Sequence, residues 1–540
     1  MSKRKYLILF FVGLIVSFTT ALLQRVPGYM DAEYYFAGGI QLAEGEGFYE
    51  SFLWNYLDDP AGLPHPSHTY WMPLPSLIAA AGMILTGSRT FLSARLLFIL
   101  LAACVPLVTA QLAKELGQND TNAILAGLLA VFPGFYVVYL TNTETFTLYM
   151  LLGSIFLWLA ARNTVKLKSL FVKSFALGLV AGMMHQTRAE GLIWLLPAAI
   201  VVVYDLLKNG SAHSATRKTK TILRVAFCLL MLMTGYLLIM LPWYLRNLGF
   251  YGSLMSPGGS KTMWLTNYDQ TFSYPADELT PSNWIAMGWQ FHIAARWNAF
   301  IANMKNLLGA QGEIFLLPLM LLGIWHARKK PIIWLAGSIW LMILGLMTVV
   351  FPYSGARGGY LHSGAALQPL LWVLAVVGLD VFLAFGERIR NWDVRKAKPV
   401  FGSGLVALSA FLTISIFYMR IYGGDIANPI WEKSWKEHVE IREAINQYDM
   451  DAESLIMINN PPGYFVSTGI PAIVIPDGNL DTLTAVAERY GARYVVVQKD
   501  HVAGLSVLYE SPGDVAGMRY VGNAGDAKLY EVLSGKWFDQ

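Results

Sequence analysis

Asp31-Ala32-Glu33-Tyr34-Tyr35 sets two carboxylates one residue apart. In an extended backbone alternate side chains share a side, so Asp31 and Glu33 are expected to point the same way. Two close carboxylates can raise one pKa, hold a divalent cation, or take a proton from an incoming hydroxyl. The plain alternative is two solvated acids in a loop. Glu144, in Leu140-Thr141-Asn142-Thr143-Glu144-Thr145, has no basic neighbour in sequence. Arg188-Ala189-Glu190 follows His185-Gln186-Thr187. Its arginine could pair with Glu190, or with Glu144 or Asp31, as a structural tie or as a device that positions a carboxylate base.

Cationic candidates come later in the chain. Arg246 follows Leu241-Pro242-Trp243-Tyr244-Leu245, and Arg357 lies in Ser354-Gly355-Ala356-Arg357-Gly358-Gly359-Tyr360-Leu361-His362. A glycine-rich stretch brings backbone N–H groups close to an anion, and an arginine fork matches phosphate oxygens. Arg357 and Tyr360 are therefore candidate ligand contacts, against the alternative of ordinary lipid head groups. In His65-Pro66-Ser67-His68-Thr69-Tyr70-Trp71-Met72-Pro73-Leu74-Pro75, His68 could bond a phosphate or order a carboxylate, and Trp71 suits a membrane interface.

The rest of the chain must position these groups. Of its 540 residues 55% are hydrophobic and only 14% charged, against roughly 25% charged in soluble domains. With a mean hydropathy of +0.45, disordered chains, disulfide-stapled modules and ordinary soluble enzymes are excluded. A net charge of +4 gives no nucleic-acid-binding surface. The two cysteines, Cys104 and Cys228, have no metal or redox spacing.

A span needs about 20 apolar residues. Such runs fall near 6–23, 92–113, 122–140, 146–161, 170–186, 192–207, 222–243, 312–326, 331–351, 364–385 and 400–418. The expected fold is a polytopic α-helical membrane protein of about eleven transmembrane helices. Ser2-Lys3-Arg4-Lys5 precedes the first run without a clear cleavage site, which favours an uncleaved anchor. Threading the runs with the N-terminus inside puts Lys3/Arg4/Lys5, Lys166/Lys168, Arg217/Lys218/Lys220, Arg328/Lys329/Lys330 and Arg388/Arg390/Arg395/Lys396/Lys398 on one side. That satisfies the positive-inside rule at every short loop and places the C-terminus outside. Residues 72–87 are expected to form an amphipathic or re-entrant helix at the outer surface, since a full span there would reverse the charge pattern. Lys208–Lys220 reads as a polar, basic loop.

Two organisational units follow. Residues 1–422 form the membrane part, with outer loops at about 24–91 and 245–305. Residues 425–540 form a small extracytoplasmic α/β domain. In it Trp435–Gln447 and Leu480–Tyr490 read as helices and Leu455–Ile458, Ala472–Ile475 and Tyr494–Val497 as buried strands. No nucleotide-binding motif is present there.

This order of parts resembles the GT-C superfamily of membrane glycosyltransferases, and within it the protein O-mannosyltransferase and aminoarabinose-transferase-like branch. Asp31-Ala32-Glu33 stands at the acidic motif after the first helix, and Thr143-Glu144 at a second acidic position. Trp71-Met72-Pro73-Leu74-Pro75 is similar to the proline-rich start of an interfacial helix, and Ser93-Ala94-Arg95-Leu96 to the arginine-leucine start of the next span. Thr187-Arg188-Ala189-Glu190-Gly191-Leu192 and Leu241-Pro242-Trp243-Tyr244-Leu245-Arg246-Asn247 are similar to motifs of bacterial members. Members often carry Lys or His hard against the first proline, whereas here His68 lies five residues before Pro73.

The resemblance implies a glycosyltransferase that moves a sugar from a polyprenyl-phosphate donor to an acceptor hydroxyl on a protein, lipid or glycan. It would act with inversion at the outer face of the cell membrane. Asp31 would serve as base, with Glu33 orienting the acceptor. Glu144, Arg188 and Glu190 would hold the site, and Arg357, Arg246 or His68 would hold the phosphate. A divalent cation is left open, with Asp31 and Glu33 as its ligands. The rival readings are a transporter or lipid flippase without transferase activity, and a membrane-anchored sensor.

Overall fold

Every one of those apolar runs becomes a helix in the computed structural model, because in lipid only a helix satisfies all backbone groups within one segment. The structure describes residues 1–540 apart from 163, 165, 210–214, 449, 452 and 534–540. Among the described residues eight helices are long and apolar enough to cross a membrane: Lys3–Leu23, Phe91–Glu115, Leu167–Thr187, Ala189–Lys208, Thr221–Tyr251, Pro331–Val350, Pro352–Arg390 and Val394–Ile421. A ninth span forms if Asp120–Val131 and Gly134–Leu140, bent by 47°, count together. The bend falls at Pro133, whose ring cannot continue the helix of Asp120–Val131. The two remaining runs are shorter than expected: Phe146–Ala161 has 16 residues and Leu317–Ala327 has 11. The expected eleven full spans are thus eight or nine full-length helices and two short ones. The protein is an integral membrane protein.

Leu74–Thr86 has 13 residues, about 20 Å of helix and too short to cross a hydrocarbon core. It packs between Met30–Glu44 and Phe91–Glu115. Its proline-rich start sets the first turn. Arg95 is buried and donates to the carbonyls of Ala21 and Gln24, capping the end of the first span. Most of the segment read as a basic loop is helical. Leu195–Asn209 precedes and Ala215–Tyr251 follows 210–214, which lie outside the described residues.

Basic side chains from separate segments pair with two aspartates. Lys5 and Lys114 both reach Asp120, at 2.9 and 3.0 Å. Lys398 and Asn122 both reach Asp380, at 2.7 and 2.5 Å. Near the middle, Leu317–Ala327 and Gln368–Arg390 cross at Gly323 and Gly378. A Cβ at either glycine would overlap the partner's backbone, at Leu374 and Leu319. Of these spans the long Pro352–Arg390 segment is the most buried.

The tail is built on a six-stranded sheet in which Ile456–Ile458, Ala472–Val474 and Tyr494–Val497 run parallel. The hairpin Met518–Ala524 and Ala527–Val532 adds two antiparallel strands to one edge. The other edge is Phe52–Leu53, which lies between the helices Met30–Glu44 and Leu74–Thr86 and pairs with Ala472 and Ile473. Helix Leu480–Tyr490 covers one face, packing Leu483 and Val486 on Met457 and Val495. Lys433–Gln447 and Pro461–Thr468 cover the other, where Ile441 and Tyr464 meet Ile456 and Tyr494.

Candidate active site

Helix Met30–Glu44 starts a few residues beyond the first span. Its helical backbone overturns the extended geometry expected for Asp31 and Glu33. Positions i and i+2 on a helix are separated by roughly 200°, so the two acids diverge. Glu33 is buried and turns to the tail, where its Oε2 accepts from Asn460 Nδ2 at 2.7 Å. Burial pushes its carboxyl up to about 7. Asp31 faces a cavity of about 360 Å³ shared with Arg188, Glu190, Arg357 and His362. The two do not form a common cation site.

Glu144 lies between helices Val137–Leu140 and Phe146–Ala161, only 1% exposed. Its Oε1 accepts from Thr145 N at 2.6 Å and Thr145 Oγ1 at 2.8 Å, and its Oε2 from the Tyr29 hydroxyl at 3.3 Å. His362 Nδ1 lies 3.5 Å from Oε1. Asp31, Glu144 and His362 each present one ligand atom, all within 4.8 Å of one another. These oxygen and nitrogen donors are the set able to hold a divalent cation, in place of Asp31 and Glu33.

Burial raises the carboxyls of both Asp31 and Glu144 above the usual carboxylate range. The Arg188 charge opposes that at Asp31, whereas the Asp31 charge adds to it at Glu144. Arg188 sits where Leu167–Thr187 ends, in extended backbone. Its Nε donates to Glu190 Oε1 at 2.5 Å, and Ser363 Oγ donates to the same oxygen at 2.6 Å. The expected Arg188–Glu190 pair therefore exists, and it stands beside the acids.

Arg357 belongs to a kinked stretch, Gly355–Gly359, where Gly358 has φ of 123°. Only glycine adopts that conformation without strain, and it turns the chain so that Arg357 lies over the Tyr268 ring, 4.3 Å from its centre. Among the described residues the guanidinium has no hydrogen bond or ion pair. It is exposed on the cavity wall and open to an anion.

Three expected ligand contacts lie elsewhere. Arg246, its guanidinium stacked on the Trp243 ring, donates to the carbonyls of Ser67 at 2.7 Å and Phe48 at 3.2 Å and so clamps the segment connecting Met30–Glu44 to Leu74–Thr86. His68 is 2% exposed, bonded to Ser67 Oγ at 2.8 Å and Ser76 Oγ at 2.9 Å. Burial, with the Arg246 charge, pushes it down to about 3, so it is neutral. Tyr360 is fully buried, its hydroxyl donating to Gln311 Oε1 at 3.2 Å and accepting from Trp340 Nε1 at 2.8 Å. None of the three lines the cavity. In the opposite sense, nothing in the spacing singles out His362, Tyr70 or Tyr268, which do line it.

Acids, the paired Arg188 and Arg357, which has no partner among the described residues, surround one apolar-walled cavity on this helical frame, as expected of the GT-C class that the motifs resemble. Residues 65–237 match the model of the family described as dolichyl-phosphate-mannose-protein mannosyltransferase, about a third of the chain. The chain is similar in fold to ArnT from Cupriavidus metallidurans bound to undecaprenyl phosphate, with 14% identity, 99% of each chain covered and a TM-score of 0.56. The apo state of the same protein aligns over 98% of each chain with 14% identity and a TM-score of 0.53. The archaeal oligosaccharyltransferase AglB from Archaeoglobus fulgidus aligns at 10% identity over 91% of this chain and 69% of that one, with a TM-score of 0.47. No curated protein sequence matches the chain.

Proposed function

We propose that the protein transfers a sugar from a polyprenyl-phosphate donor to an acceptor hydroxyl, with one displacement and inversion at the anomeric carbon. The observation that carries this reading is the shared cavity: a half-buried acid, Asp31, and a cation unpaired among the described residues, Arg357, line one space. In the proposed reaction the Asp31 carboxylate takes the proton of the acceptor O–H. The acceptor oxygen bonds to the anomeric carbon as the bond from that carbon to the phosphate oxygen breaks. The electron pair leaves on the phosphate, which Arg357 holds. A lipid phosphate is already a stable leaving group, so no strong general acid is needed. Arg188, fixed by Glu190, favours the charged form of Asp31, and Glu144, held by Thr145 and Tyr29, lies beside it. Glu33 fits a joint to the tail better than an acceptor ligand.

Orientation is part of the proposal. The basic short loops support a cytoplasmic N-terminus in the cell membrane, with cavity and tail outside. The donor class is supported by the family match and by the undecaprenyl phosphate of the ArnT structure. The test is incubation of the protein in proteoliposomes with a radiolabelled polyprenyl-phosphate sugar and pooled acceptors. Label appearing on acceptor supports the reading. Label that stays on the lipid, or merely changes leaflet as a flippase would move it, overturns it.

A further inference from the structure

The parallel strands of the tail are wound in two directions. From Ile456–Ile458 the chain passes through Pro461–Thr468 to Ala472–Val474 on one side, then through Leu480–Tyr490 back to Tyr494–Val497 on the other. The two connecting helices pack on opposite faces of the sheet. The chain leaving Ile458 therefore turns to one face, and the chain leaving Val497 turns to the other, where Leu505 and Leu508 pack. Such a reversal opens a crevice at the carboxyl ends of the two strands, where α/β sheets bind ligands.

A cavity of about 1060 Å³ occupies that place, with Asn459, Asn460, Gln498 and Asp500 at the strand ends. Helix Lys433–Gln447, the hairpin turn at Asp526, and Tyr422 to Ile430 beyond the last span complete its walls. The lining holds five carboxylates and three lysines, a negative balance that disfavours phosphate. Helix Pro461–Thr468 gives no anion seat either. Pro461 and Pro462 lack N–H groups, and Gly463 N is already bonded to Asn460 Oδ1 at 3.1 Å. Among the described residues the side chains of Glu440, Gln498 and Asp526 have no hydrogen bond or ion pair, so their polar atoms are free for a ligand. Amides and carboxylates facing one space pair with vicinal hydroxyls, and Tyr422 and Ile430 offer an apolar patch to a sugar face.

We propose that this crevice binds an uncharged saccharide. On the transferase reading above, from which this part of the inference follows, the saccharide is the acceptor glycan. Asn460 lines the crevice and also holds Glu33, two residues from Asp31.

The test is a panel of neutral and phosphorylated oligosaccharides, presented free and on vesicle-borne lipids, to the full chain in nanodiscs. Neutral saccharides should bind, and Gln498→Ala and Asp526→Ala, both near the surface, should each weaken binding at least tenfold with the melting temperature unchanged. Vesicle-borne sugars binding more tightly than free ones mark an acceptor, and equal binding marks a free-sugar site. Preference for phosphorylated sugars, no binding across the panel, or undiminished binding in both variants overturns the proposal. Asp31→Asn separates the two readings: it should bind the panel as the wild type does, even if no sugar transfer is ever detected.

Discussion

Asn460, at the carboxyl end of a tail strand, donates to the buried Glu33 at 2.7 Å, and Glu33 lies half a turn from Asp31 on one helix. The tail thus reaches into the helix that carries the proposed base. Strand Phe52–Leu53, paired to Ala472–Val474, ties the segment between Met30–Glu44 and Leu74–Thr86 to the same sheet. Deleting 425–540 would remove the Asn460 partner of Glu33 and leave that strand without a neighbour. The truncated chain is expected to lose more than tenfold of its activity and much of its thermal stability. Full activity in the truncated chain would show that the tail is dispensable.

Arg188 sets the ionisation of Asp31. Burial raises the Asp31 carboxyl and the arginine lowers it. A base works deprotonated, so activity should fall as pH drops through that pKa, with the acid limb above the ordinary value of about 4. Arg188→Gln removes the lowering charge, and the limb should move to higher pH. A pH–rate profile on single-turnover transfer checks this. A limb that stays put or moves down would separate Arg188 from Asp31.

Arg357 is expected to act on the donor alone. A charge-assisted hydrogen bond to phosphate is worth roughly 1.5–3 kcal/mol, so Arg357→Ala should weaken donor binding on the order of ten- to a hundred-fold, with Lys restoring part of it. Donor titration by fluorescence reads the effect. Unchanged affinity would reassign the phosphate contact.

Arg246 is expected to behave differently. It holds the Ser67 and Phe48 carbonyls, and leaving them unsatisfied costs about 1–3 kcal/mol. Arg246→Ala should lower the melting temperature while leaving donor affinity per folded molecule intact. A selective loss of donor binding at unchanged melting temperature would restore it as a ligand contact.

His65 gives the segment between Met30–Glu44 and Leu74–Thr86 its own pH dependence. It is buried between Asp58 Oδ2 at 3.0 Å and Glu50 Oε1 at 3.3 Å, and these acids outweigh its burial, raising it to about 9. A raised histidine contributes stability that is complete below its unfolded value of about 6.5 and is lost as pH rises through about 9, on the order of 3 kcal/mol. Hydrogen exchange over residues 49–70 should accelerate above pH 9 in the wild type, and His65→Gln should remove that dependence. A flat wild-type profile would contradict it.

Sequence patterning carried the membrane helices and the main site because both depend on polar groups being scarce in lipid. Asp31, Glu144, Arg188, Glu190 and Arg357 stand at ends of apolar runs, and the fold brings Asp31, Arg188, Glu190 and Arg357 to one cavity with Glu144 beside Asp31. Which way a side chain faces depends on helical phase, which short motifs do not fix. Hence Glu33, Arg246, His68 and Tyr360 point elsewhere. Helix Met30–Glu44 was hidden because its apolar residues are interrupted by acids and glycines. Phe52–Leu53 is two residues long, too short for any period to register. The hairpin Met518–Val532 is half exposed, so it lacks the unbroken apolar runs of the parallel strands.

The most direct measurement is single-turnover transfer from a polyprenyl-phosphate sugar of known anomeric configuration, comparing wild type with Asp31→Asn. The account predicts product of inverted configuration and a rate lowered about 10²–10⁴-fold in the variant, with melting temperature and donor binding retained. Retained configuration, or a variant that turns over at the wild-type rate, would contradict it.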